Sequence, residues 1–139
     1  MQNQFTSFTQ SNNLINGVNL GLPMNVNNIC LPVCYKKSMN ISTKDIIHLE
    51  GHSNYTLFYF SNGKTLLVSR TMKEYIDNLD EHFVRIHKKF VINLRYLIQF
   101  DLKEEMSVLL KDGKRITISR RRKKEFLEKT RNVFGKMLG

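Results

Sequence analysis

The chain has 139 residues, with 22 Lys+Arg against 12 Asp+Glu and a formal net charge of +10. That length holds one domain and some tail, and so positive a field favours polyanions, either nucleic acid or an anionic membrane surface. No apolar run approaches the ~20 residues that cross a bilayer, and the N-terminus lacks the pattern of a secretory signal, so a cytoplasmic protein without a membrane partner is expected.

Residues 1–35 carry no charged side chain. The first 28 are rich in Asn, Gln and Ser, and Phe5, Phe8, Leu14, Ile15 and Leu20 follow no sustained period. A flexible, disordered leader over 1–28 and a folded domain over 29–139 follow from that change of character. Cys30 and Cys34 sit four apart in ICLPVCY. On an extended segment they share a face but lie too far apart for an easy disulfide. The histidines at 48, 52, 82 and 87 show no zinc-ligand spacing, so two reduced, partly buried thiols are expected and no metal.

LPVCYKKSMNI reads as an entry strand, and STKDIIHLEG as a turn followed by a strand from about Ile46 to Leu49. GHSN is a loop. YTLFYF, the turn SNG and KTLLVS then predict a hairpin over 55–69, and MSVLL, KDG and KRITIS predict another around Asp112 and Gly113. Between them FVRIHKKFVINLRYL, from Phe83 to Leu97, is apolar enough for two short strands crossing a core. Its polar residues are nearly all cationic: Arg85, His87, Lys88, Lys89 and Arg95, with Asn93 the exception.

Two helices are predicted. Thr71 with Glu74 three residues on makes a capping box, and Met72, Tyr75, Ile76 and Leu79 fall on one face. Ser119 is the N-cap candidate for the second, with Phe126, Leu127, Thr130, Val133, Phe134 and Met137 along one side. Those stripes are core or docking faces. The fold class expected is mostly β, antiparallel, with two short α-helices.

No enzyme can be assembled from these residues. The carboxylates Asp45, Glu50, Asp77 to Glu81 and Asp101 to Glu105 read as solvated turns and helix faces, and there is no Gly-rich phosphate loop. No cofactor is implied. The run SRRRKKEF, Ser119 to Phe126, is more informative. If Ser119 caps a helix, Arg120, Arg121, Arg122, Lys123 and Lys124 crowd its N-terminus, where each cation costs a few tenths to ~1 kcal/mol. Arg122 also holds the slot in which a capping box would place Glu. Tolerating that cost points to use outside the fold: arginines beside a helix N-terminus grip phosphate and the guanine edge. A plain basic surface run is the other reading.

Three polar or basic clusters result: His52 to Asn54, Arg85 to Lys89, and Arg120 to Lys124. With the sequences HLEGHSNY, FVRIHKKFVIN and ITISRRRKKEF in that order, the chain resembles the LytTR family of bacterial DNA-binding domains over Ile29 to Phe134. The resemblance implies an elongated, mostly antiparallel β fold that binds double-stranded DNA, with loops in successive major grooves at paired direct repeats. It also implies base contacts from the His52–Tyr55 loop, from Lys88 and from Arg121, without choosing among His52, Asn54 and Tyr55. His87, Lys89, Arg120 and Arg122 would be phosphate or supporting contacts, and Arg85 and Lys123 belong to the same basic clusters. No receiver domain fits into the leader, so input is expected from elsewhere, including a signalling partner. A second copy on tandem sites is the other partner implied. The competing class is an RNA- or single-strand-binding protein that stacks bases on Tyr55, Phe58, Tyr59 and Phe60. Strand alternation would put Phe58 and Phe60 on one face and Tyr55 and Tyr59 on the other, so at most half could stack.

Overall fold

In the computed structural model, residues 28–32 and 38–138 are described. The leader over 1–27 and Cys34 lie outside the described residues. Among the described residues ten strands and two α-helices follow in order: β1 (Asn28–Pro32), β2 (Ser38–Ser42), β3 (Ile46–His52), β4 (Tyr55–Phe60), β5 (Thr65–Val68), α1 (Met72–Ile76), β6 (Phe83–His87), β7 (Phe90–Asn93), β8 (Leu97–Asp101), β9 (Ser107–Leu110), β10 (Arg115–Thr117) and α2 (Lys123–Leu138). Single 3-10 turns at Thr43–Asp45, Leu94–Tyr96 and Arg120–Arg122 enter β3, β8 and α2.

The central sheet is antiparallel and runs β5-β4-β3-β7-β6. Because side chains alternate across a strand, its two faces hold separate cores. Ile46, Leu49, Phe58, Phe60, Phe83 and Val91 face the β1-β2 hairpin and α1, meeting Ile29, Leu31, Ile41, Met72 and Tyr75. Ile47, Val84, Ile86 and Ile92 face a second sheet, β10-β9-β8, and α2, meeting Val108, Leu110, Ile116, Ile118, Phe126 and Val133. A bulge between Ile46 and His48 interrupts the alternation, so Ile46 and Leu49, three residues apart, share one face while Ile47 serves the other. The result is a sheet covered on both sides.

The two predicted hairpins form, and Gly63 (φ 88°) and Gly113 (φ 90°) supply the left-handed turn positions that SNG and KDG promised. Phe83 to Asn93 is strand, turn and strand, as its apolar density requires. Glu74 reaches back to the backbone N–H of Thr71 at 3.1 Å and to its hydroxyl at 3.1 Å. Met72 and Tyr75 are buried, but α1 ends at Ile76, so Leu79 packs from the loop beyond it. Asn93, the one neutral polar residue of its stretch, is fully buried. Its amide donates to the Ile46 carbonyl at 2.8 Å and its oxygen accepts from the Arg95 N–H at 2.9 Å.

Four expectations need correction. The single entry strand is two strands, β1 and β2, paired antiparallel with Ile29 opposite Ile41. Asn28, assigned to the leader, opens β1 opposite Ser42. Asp80 is not a solvated turn carboxylate: its side chain is 8% exposed and accepts from Arg95, Thr43 and the His82 N–H. Arg120 to Arg122 form a 3-10 turn rather than the first turn of the α-helix, which begins at Lys123. Ser119 holds the N-cap position of that turn, yet its buried hydroxyl makes no bond. Glu125 is instead the anion in the first turn of α2, and it lies 3.7 Å from Arg122.

Candidate nucleic-acid interface

The first loop is the β3-β4 turn. His52 and Tyr55 are cross-strand partners, leaving Ser53 and Asn54 as a two-residue connection, with Ser53 at φ 53°. A positive φ at the first loop residue matches the twist of the flanking strands. Asn54 and Tyr55 are exposed, and so is His52, whose Nε2 lies 3.1 Å from Glu50 Oε2.

The second loop is the β6-β7 turn, with Lys88 and Lys89 exposed between the partners His87 and Phe90. Arg85 braces it from below, donating Nη2 to the Lys88 carbonyl at 2.6 Å and Nε to the His87 carbonyl at 3.4 Å. The Lys89 N–H donates to His87 Nδ1 at 3.1 Å. The third loop is the Arg120–Arg122 turn, where Arg120 and Arg121 are exposed and Arg122 and Lys123 are half-buried.

Two backbone bonds join these loops across long sequence distances. The Gly51 N–H donates to the Lys89 carbonyl at 2.8 Å, and the Ser119 N–H donates to the Ile86 carbonyl at 2.8 Å. Gly51 permits a close approach on its other side too, because a Cβ there would sit 3.3 Å from Met72 Cε. All eleven residues singled out from the sequence therefore lie on or beside three adjoining loops. The crowding is electrostatic as well: burial lowers the Arg85 pKa first, and the cations of Arg122 and Arg121 lower it further. Cations packed that closely gain from an anion brought to them.

A groove of about 290 Å³ runs between the first two loops, lined by Ser53, Tyr55, Lys73, Arg85, Lys88 and Lys89 among others. Lys73 went unnoticed in the sequence because it stands inside the capping box of α1, where a lysine reads as solvated helix surface. Glu50, read from the sequence as a solvated carboxylate, is instead 19% exposed, set between the His52 ring and the hydroxyl of Tyr59, which donates to Oε1 at 3.1 Å.

Of the four aromatic residues of β4, Phe58 and Phe60 are buried and Tyr59 stacks on the buried His48 ring at 4.1 Å. Tyr55 alone among them is exposed, at 46%. Among the described residues no group of His, Cys, Asp and Glu could hold a metal ion, and no helix is long and apolar enough to cross a membrane.

The LytTr DNA-binding domain family model matches residues 36–131. The sensory transduction protein LytT of Bacillus subtilis (strain 168) is 35% identical over 91 residues, which are 61% of this chain and 36% of the relative. The chain thus spans about a third of the length of that curated relative. A solved LytTr DNA-binding domain from Bacillus cereus matches with a TM-score of 0.62 at 15% identity, covering 74% of this chain and 95% of that one. The likeness to the solved domain is one of fold.

Proposed function

This chain belongs to the LytTr DNA-binding domain family, and from that premise we propose that it is a bacterial transcriptional regulator that reads specific sequences in double-stranded DNA. The three adjoining loops enter the major groove. His52, Asn54 or Tyr55 of the first, Lys88 of the second and Arg121 of the third contact base edges. His87, Lys89, Arg120, Arg122 and Lys123 engage phosphates or support those contacts, while Arg85 chiefly holds the second loop in shape through its two carbonyl bonds. A second copy occupies an adjacent direct repeat, and the protein acts in the cytoplasm.

The observation that carries this reading is the pair of backbone bonds, Gly51 to Lys89 and Ser119 to Ile86, that brings three separate basic or polar stretches to one edge. Phosphate contacts position a protein on DNA, whereas forked or amide side chains specify sequence, and this edge offers both. The single-strand alternative has little to stand on, since Tyr55 is the one exposed ring of β4.

The test is a duplex titration across ionic strengths beside a matched single strand, with site selection on random duplex. At about 5–8 phosphate contacts, log K should fall with log salt at a slope near −0.9 per contact, and selection should return a repeated motif. A flat salt response, or tighter binding to the single strand, would defeat the proposal.

A further inference from the structure

The first two loops each present one histidine, and each ring is held by a different neighbour. An imidazole can donate or accept at either nitrogen, so residue type alone does not say what it reads. The structure supplies the missing information. His52 Nε2 lies 3.1 Å from Glu50 Oε2. A carboxylate only accepts, so its charge beside this nitrogen favours the tautomer with the proton there. The carboxylate is held on its other side by the Tyr59 hydroxyl at 3.1 Å, and the Tyr59 ring is in turn stacked on buried His48. The Glu50 side chain is 19% exposed against 50% for His52. The anchor is therefore inside and the imidazole outside, with the acceptor Nδ1 as its free edge when the ring is neutral.

His87 is held the other way round. The Lys89 backbone N–H donates to its Nδ1 at 3.1 Å, so that nitrogen is unprotonated and the free edge is the Nε2–H donor. Both rings carry the proton on Nε2, yet opposite edges are already engaged by the protein.

We propose that Glu50 is a positioning residue that makes the first loop present a hydrogen-bond acceptor at His52, while the Lys89 backbone makes the second loop present a donor at His87. This rests on the duplex-reading function proposed above and deepens it. An acceptor in the major groove selects an exocyclic amino group, adenine N6 or cytosine N4, and rejects guanine and thymine at that position. The donor at His87 suits a phosphate oxygen or the acceptors of guanine and thymine. Glu50 itself touches no DNA; it decides which atom of His52 does.

The full chain serves for the test. Proton–nitrogen correlation spectra of the imidazole rings, at about pH 8 where histidine is neutral, read the tautomers in the absence of DNA. The wild type should show the proton on Nε2 in both His52 and His87. Glu50→Gln replaces the carboxylate with an amide that donates as well as accepts. It should release His52 into a mixture of tautomers and leave His87 unchanged. Site selection with both proteins should then show that preference for adenine or cytosine at one position falls roughly 5- to 100-fold in the variant, with the other positions held. A His52 tautomer unchanged in Glu50→Gln overturns the proposal, and so does a uniform loss of affinity with no change of preference. If the wild type selects no sequence at all, the duplex-reading function fails, and the ring spectra still report separately on whether Glu50 sets the tautomer.

Discussion

Replacing Asp80 with alanine removes a buried carboxylate that accepts from three separate parts of the chain. Its Oδ2 accepts from Arg95 Nη2 at 3.0 Å and from the Thr43 hydroxyl at 3.0 Å, and its Oδ1 accepts from the His82 N–H at 2.9 Å. These donors come from the turn before β3, the loop before β6 and the turn before β8, so one side chain pins three connections. Its side chain is 8% exposed and that of Arg95 22% exposed. Removing one partner of a buried pair costs about 3–5 kcal/mol when the other charge stays buried. Since Arg95 keeps some access to water, about 2–4 kcal/mol is expected for Asp80→Ala, a fall in Tm of roughly 8–16 °C for a domain of this size. Asp80→Asn should lose about half as much, because its oxygen still accepts while its amide opposes Arg95.

The pH dependence gives a second check on the same residue. Burial pushes the Asp80 pKa up, but the Arg95 hydrogen bond, the His82 N–H, the Arg95 charge and the Thr43 hydroxyl together hold it below the ordinary value. A depressed folded pKa means that folding favours the ionised form. Its contribution is full above about pH 5, beyond the unfolded carboxylate value, and is lost as pH falls through the lower folded pKa. The stability gap between wild type and Asp80→Ala, read from urea midpoints, should be equal at about pH 7 and 5 and narrow at about pH 3. A variant melting within about 3 °C of wild type, or a gap that persists unchanged into acid, would refute the reasoning.

Three further outcomes are expected. Lys88→Ala and Arg121→Ala should each cost ~1–3 kcal/mol on the selected site and relax preference at particular positions, whereas Lys123→Ala and Lys124→Ala should weaken every sequence alike. Affinities for the site and its single-base mismatches decide this, and uniform losses from all four would remove the base-reading assignment. Deleting residues 1–27 should leave melting and site preference unchanged. Deleting 1–32 removes buried Ile29 and Leu31 with β1, so it should cost several kcal/mol at about 1.5–3 kcal/mol per side chain, which paired melting curves would register. Arg122→Glu should not gain the stability that a capping box would bring, because it loses the contact with Glu125 and sets two carboxylates one turn apart. The free domain should melt at or slightly below the wild-type temperature while duplex affinity falls about tenfold or more; a clear rise in Tm would show that the cap outweighs the repulsion.

The elements were legible because their causes are local. Gly63 and Gly113 announce turns through the backbone freedom they alone supply, Glu74 caps α1 from three residues away, and the alternation of YTLFYF separates buried Phe58 and Phe60 from the outer Tyr55 and Tyr59. The three basic or polar stretches were legible as chemistry, and with their spacing they pointed to the family. Their adjacency was not. It depends on Gly51 reaching Lys89 and Ser119 reaching Ile86, bonds between backbone groups that every residue carries and that leave no mark on composition or period. The same limit hid the split of the entry segment into β1 and β2, the 3-10 turn before α2, and the burial of Asp80. A carboxylate is written identically whether it faces water or Arg95. Tertiary packing alone set the surroundings of Glu50 and Lys73, because what a charge can do depends on which atoms the rest of the chain brings within about 4 Å of it.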